Sequence, residues 1–253
     1  MSGLSCRIRF DHGSLKIDRI SGDTDDGHLA GRVNLSIPER GPRLISSIFG
    51  ISGVPIDQLF PLIEERPRIN GWMTARGGIQ AEFGQDRVFH SSIASRRPIS
   101  VMIERGHLLY APLISKVLAL INLPALLKGE TDLTKDGMPF DRLKLVFGVE
   151  HGIMNIGEFL LDSPILKISG TARYDFIDDK LEGVVVASPL GQYSDLLKSV
   201  PLFGKLFSGE RHGFDTAIFE VKGSAKDPNV VYLPGESLMA GAKGTAKLAS
   251  ICW

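Results

Sequence analysis

The sequence predicts a mainly β protein: a long, curled antiparallel sheet forming an open, taco-like β-groove, with a few short helices. Three observations predict it. Apolar and polar residues alternate along several segments, which buries one face of a strand and wets the other. Turn-forming residues separate those segments at hairpin spacing. Gly is abundant, 28 of 253 residues, with 14 Pro, a usage expected where many short strands are joined by turns.

Taken in order, strands are expected over residues 5 to 10, 14 to 21 and 28 to 37. In the third, Leu29, Gly31, Val33, Leu35 and Ile37 share one face, while Ala30, Arg32, Asn34 and Ser36 take the other. Further strands follow over 43 to 49, 69 to 83 and 98 to 109. A second series runs over 139 to 149, 152 to 162, 165 to 176, 180 to 187 and 213 to 223. Within it Leu143, Leu145, Phe147 and Val149 oppose Arg142 and Lys144, with Val146 breaking the pattern. Leu166, Ile168, Gly170, Ala172, Tyr174 and Phe176 oppose Lys167, Ser169, Thr171, Arg173 and Asp175. The breaks are Asp25-Asp26-Gly27, His151-Gly152, Asp162-Ser163-Pro164, Asp178-Asp179 and Asp227-Pro228, so consecutive strands should form a meander.

Four helices are expected. Ile56 to Ile63 follows Pro55, which can open a first turn. Leu113 to Leu127 is apolar nearly all round, as in a helix buried on most sides or lying against lipid. Gln192 to Val200 with Leu202 to Phe207 is a third, and Ser237 to Ala249, weakened by its glycines, a fourth. An echo of apolar-x-Gly-x-apolar recurs at Leu29 to Val33, Ile69 to Met73 and Leu181 to Val185. It suggests glycines on the inner face where the sheet bends.

Composition and motifs exclude several chemistries. Lys and Arg (29) balance Asp and Glu (29), so no net field favours a nucleic-acid backbone. The basic concentrations, Arg96-Arg97 and Arg7 with Arg9, carry no interleaved aromatic platform, and no nucleic-acid partner is expected. Five of the six histidines adjoin a glycine, at His12, His28, His107, His151 and His212, which reads as turns with no metal-ligand spacing. Nucleophile elbow, phosphate-binding loop, dinucleotide fingerprint and zinc-protease motifs are absent. The acid pairs Glu64-Glu65, Asp25-Asp26 and Asp178-Asp179 are consecutive, so in strands their members would face opposite ways. The expectation is a binding or scaffold module and not an enzyme, with no catalytic residue, metal or cofactor. Cys6 and Cys252 lie near opposite ends, and the sequence leaves their pairing open. No apolar run reaches the roughly 20 residues of a membrane-spanning helix.

The order of segments in the second half carries a resemblance. Val117-Leu118-Ala119-Leu120-Ile121-Asn122-Leu123-Pro124-Ala125-Leu126-Leu127 is followed by Pro139-Phe140-Asp141-Arg142-Leu143. Then come Gly157 to Asp162, Ile168-Ser169-Gly170-Thr171-Ala172 and Val221-Lys222-Gly223-Ser224-Ala225-Lys226-Asp227-Pro228-Asn229-Val230. From about Ile99 to Leu238 this succession resembles the C-terminal region of the AsmA-like family, the AsmA/TamB group of bridge-like envelope proteins.

The resemblance implies a groove, apolar within and polar without, in which phospholipid acyl chains pass between inner and outer membranes. It implies a periplasmic location, anchored in the inner membrane by a segment not present in this chain, with membrane or envelope proteins as partners. The expected division is an upstream groove segment at 1–110, an AsmA-like segment with covering helices at 111–232, and a tail at 233–253. By parity alone the lipid-facing residues would be Leu143, Leu145, Phe147, Leu166, Ile168, Ala172, Tyr174, Leu181 and Val185. The alternative is a structural module supporting outer-membrane protein assembly or envelope biogenesis, with helices covering the apolar face.

Overall fold

The computed structural model describes residues 2–23, 26–56, 69–83, 92–108, 112–120, 137–189 and 217–233. Twelve antiparallel strands follow one another in chain order in a single sheet, whose two edge strands do not pair with each other. They are β1 (Ser2–Asp11), β2 (Ser14–Asp23), β3 (His28–Ser36), β4 (Arg43–Pro55), β5 (Trp72–Phe83) and β6 (Ala94–Leu108). After the helix α1 (Pro112–Leu120) come β7 (Met138–Glu150), β8 (Ile153–Asp162), β9 (Leu166–Asp175), β10 (Lys180–Pro189), β11 (Ala217–Gly223) and β12 (Pro228–Leu233). The fold is the open, mainly β meander that the alternation predicts. β6 pairs with β7 from Ile99↔Phe147 to Leu108↔Met138, so the strands before and after the expected boundary are neighbours in one sheet.

Local chemistry explains the tight turns. His12-Gly13 joins β1 to β2 and His151-Gly152 joins β7 to β8, all four residues at positive φ (38°, 74°, 51° and 80°). Two successive left-handed residues make a type I′ turn, whose twist matches that of the strands it connects. Between β9 and β10 the Asp175 carboxylate accepts the N–H groups of Ile177 and Asp178 at 2.9 and 3.2 Å, and Asp179 closes the loop at φ 50°.

Several expected boundaries move. β4 runs on to Pro55 through a register shift between Ile51 and Val54, with Gly53 at φ 61° taking up the extra backbone. β5 begins at Trp72 because Gly71, at φ 127°, turns the chain beforehand. The repeated Gly motif therefore divides: Gly31 and Gly183 lie within strands, whereas Gly71 is a strand-entry turn. Ile37 lies beyond the end of β3 and is 37% exposed. β12 was not anticipated; Pro228 opens it, where an edge strand tolerates a residue without an N–H.

α1 opens on Pro112, as first-turn geometry favours. It is apolar on one side, not all round. Ile114, Val117 and Leu118 are buried, at the three- and four-residue spacing of one helical face, while Leu120 is 40% exposed. The remainder of that expected helix (121–127), residues 57–63, the helices at 192–200, 202–207 and 237–249, Cys252 and the tail beyond 233 lie outside the described residues.

One contact demands that the sheet curl. Lys116 Nζ of α1 bonds Asp227 Oδ1 and the Pro228 carbonyl, both at 2.6 Å. From Leu108 to Lys116 the chain reaches at most about 20 Å, four extended residues and four helical ones, and the side chain adds about 6 Å. In a flat sheet β12 lies six spacings, about 29 Å, from β6. Pro228 is moreover level with Val149, and Val149 stands roughly 36 Å along β7 from Met138, the partner of Leu108. Only a curled sheet whose strands are also tilted to the axis of the curl, so that a level row winds along that axis as it goes round, brings β12 within reach. α1 crosses the concave side.

Beneath α1 lies the core. Ile114, Val117 and Leu118 pack in one cluster with Ile103, Phe140, Leu161, Leu166, Ile168, Val185, Phe219 and Val221. These come from β6 to β11 and α1, and Ile56, just past β4, joins the same cluster.

Candidate functional site

Register places side chains directly opposite one another across the whole sheet. One row reads Gly22, Leu29, Ile51, Ala75, Val101, Leu145, Phe159, Gly170, Val185, Phe219, Tyr232, from β2 to β12. Ten spacings at about 4.8 Å make this roughly 48 Å of surface whose only polar atom is the Tyr232 hydroxyl. Beyond the intervening row of Ile20, Gly31, Phe49 and Gly77, Ile8, Ile17, Val33, Ser47 and Ile79 form another row, and Phe10, Leu15, Leu35, Ile45 and Ala81 the next. Cross-strand partners share a face, so these rows together define the concave side.

The convex side carries charge in cross-strand rows. Arg142, Asp162 and Lys167 stand opposite one another in turn, as do Arg173, Glu182 and Lys222. Lys144 meets Glu158 at 2.8 Å, and Arg9 meets Asp18, whose carboxyl is held below its ordinary range by that hydrogen bond. The wetting of this side is incomplete. Leu160, Val186, Ile218 and Leu233 face outward, Ile48 is 55% exposed and Val231 46%, which corrects the expectation of a uniformly polar reverse.

The concave face has two regions. Over β6 to β12 it is largely closed by α1 and the core. Over β1 to β4 the inward apolar side chains Leu15, Ile17, Val33, Leu35, Ile45 and Phe49 stay half-buried, and Ile8 and Phe10 at the edge are 61% and 73% exposed. No described element packs over that second region.

All nine residues expected to face lipid do lie on the concave side. They differ in access. Leu166, Ile168 and Val185 are buried in the core, and Leu143 and Leu181 pack against it. Leu145, Phe147, Ala172 and Tyr174 are half-buried and stand outside that cluster. The accessible inward residues of β1 to β4 were missed as site residues. Their signal was the same alternation, already visible at Leu29 to Leu35.

Two polar devices brace the rims. Where β6 diverges from β7, Ser95 Oγ accepts the Val149 N–H at 2.9 Å and donates to the Val149 carbonyl at 3.4 Å, replacing ladder bonds with a side chain. At the β9–β10 turn, Asp179 accepts the Tyr174 hydroxyl at 2.9 Å, the Ser224 hydroxyl and the Ala225 N–H. The bond from Ser224, then that from Tyr174, holds the Asp179 carboxyl below its ordinary range. Burial, then Asp179 itself, pushes the Tyr174 phenol up, so the pair stays phenol to carboxylate.

Among the described residues no group of three or more His, Cys, Asp or Glu side chains could hold a metal ion. No helix among them is long and apolar enough to cross a membrane. No family model, curated protein or solved structure matches the chain.

Proposed function

We propose that the chain is a lipid-binding groove that takes part in phospholipid transport between the inner and outer membranes, with the acyl chains held along its concave face. The observation that carries this reading is the apolar row from Gly22 to Tyr232, which crosses eleven strands with a single hydroxyl. Each acyl methylene removed from water contributes about 0.8 kcal/mol, so a chain of a dozen methylenes gains on the order of 10 kcal/mol before ordering costs. Such binding needs area and no precise polar contact. The resemblance of the second half to the AsmA-like family supports the reading and adds its periplasmic setting, inner-membrane anchorage and envelope-protein partners.

A second reading, a structural module for outer-membrane assembly, draws support from the α1-covered core, which interrupts the accessible groove over β6 to β12. The uncovered face of β1 to β4 favours the first. Lipid extraction and native mass spectrometry of the purified chain test it. Bound phospholipid is expected in the wild type and should be lost in Val33→Asp and Leu35→Asp, two variants on the accessible face. Wild-type protein free of lipid, or variants that retain it, would overturn the proposal.

A further inference from the structure

We infer that α1 is a displaceable strap that closes the concave face over β6 to β12 and yields its seat to an acyl chain. The inference rests on the lipid-groove reading and assigns the regulation of that groove. Three observations converge on it.

Among the described residues, one side chain of α1 makes its polar link to the far edge of the sheet. Lys116 donates to Asp227 Oδ1 and to the Pro228 carbonyl, both on the β12 side, although the helix follows β6 in the chain. This ion pair is accessible, with the Lys116 side chain 40% and the Asp227 side chain 85% exposed. A bond so placed opens at small cost.

What α1 covers is continuous with what stays open. Ile114, Val117 and Leu118 share a cluster with Val101, Phe159, Val185, Phe219 and Tyr232, members of the same apolar row that emerges as Ile51 and Leu29 on the uncovered side. An acyl chain lying over β3 and β4 needs only to advance along the row to compete with those three side chains.

The seat is also imperfectly filled. The Tyr232 hydroxyl is buried with no hydrogen-bond partner among the described residues, and burial pushes its pKa up. A buried unpaired hydroxyl is destabilising, and a glycerol or ester oxygen of a phospholipid would satisfy it where the helix does not.

The test uses the full chain with Cys6→Ser and Cys252→Ser, and vesicles of phosphatidylethanolamine and phosphatidylglycerol. Lipid loading is followed by native mass spectrometry and the amides of residues 113–120 by hydrogen exchange. Lipid is expected to lower protection of α1, and Lys116→Ala or Asp227→Asn to speed loading about three- to tenfold, with Lys116→Arg restoring the wild-type rate. Lys116→Cys with Asp227→Cys, joined by a short bis-maleimide, should load fewer lipids than the same protein unjoined. Tyr232→Phe, which relieves the strapped state of its unpaired hydroxyl, should load more slowly and release lipid faster. If wild type takes up lipid while α1 keeps its protection and the joined form loads as fully, the strap is overturned and the groove reading stands. If no form takes up lipid, both fall.

Discussion

Ile168 and Phe219 are each 0% exposed in the core beneath α1, whereas Val33 is half-buried with its inward side uncovered. Ile168→Ala should therefore cost about 2–5 kcal/mol, since the closed site cannot collapse fully onto the cavity. Val33→Ala should cost about 1 kcal/mol or less, and urea denaturation of the two variants measures the contrast. Equal losses would mean that the two halves of the concave face are equally packed. This difference also explains why a charge at Ile168 is a poor probe of ligand: it would unfold the core before it repelled a lipid.

Asp179 carries a pH prediction of definite sign. Its folded pKa lies below the ordinary 3.8, chiefly through the bonds from Ser224 and Tyr174. The stabilisation is present above the ordinary value and is lost as pH falls through the lowered one. Asp179→Asn should melt below the wild type at neutral pH, and the gap should narrow as the pH is brought below about 4. A gap unchanged from about pH 7 to about pH 2 would count against the network.

At the scale of elements, β9 and β10 are crowded on the concave side. A Cβ added at Gly183 would meet the Thr171 carbonyl oxygen at 2.6 Å and Ala172 Cβ at 2.8 Å. Gly183→Val should destabilise by about 1–3 kcal/mol through overpacking, as thermal melting would show. On β6, Ser95→Ala removes both bonds to Val149. Exchange of the Val149 amide should accelerate while the β7–β8 ladder keeps its protection.

The strands with one buried face were legible because alternation is local: Leu29 to Leu35 and Leu166 to Tyr174 declare their faces residue by residue. β12 was not legible, since Pro228 reads as a breaker and its strand holds only six residues. The one-sided character of α1 was hidden too, because six of the eight residues from Leu113 to Leu120 are apolar. What selects its buried face is the curl that brings β12 back toward β6, a non-local fact. Parity thus named the side of the sheet for Ile168 and Val185 but not the cover over them.

The whole molecule is an open curled sheet with a strap across one half of its concave side. Its accessible apolar face over β1 to β4 leads without a polar interruption, along the row through Leu29 and Ile51, to the face that α1 covers. Burial of Ile114, Val117 and Leu118 stabilises the strapped state by roughly 5–9 kcal/mol, an amount comparable with the burial of one acyl chain. On the proposed reading, the two occupants would be matched closely enough for the lipid supply to set the balance.

The central claim, that acyl chains lie on the concave face, is tested most directly by parity. A photoreactive phenylalanine is placed in turn at residues 15, 17, 33 and 35, which face inward, and at 16, 32, 34 and 36, which face outward, and cross-linking follows exposure to phospholipid vesicles. Lipid adducts at the first four and none at the second four are the predicted result. Adducts on both sets alike, or on neither, would contradict it.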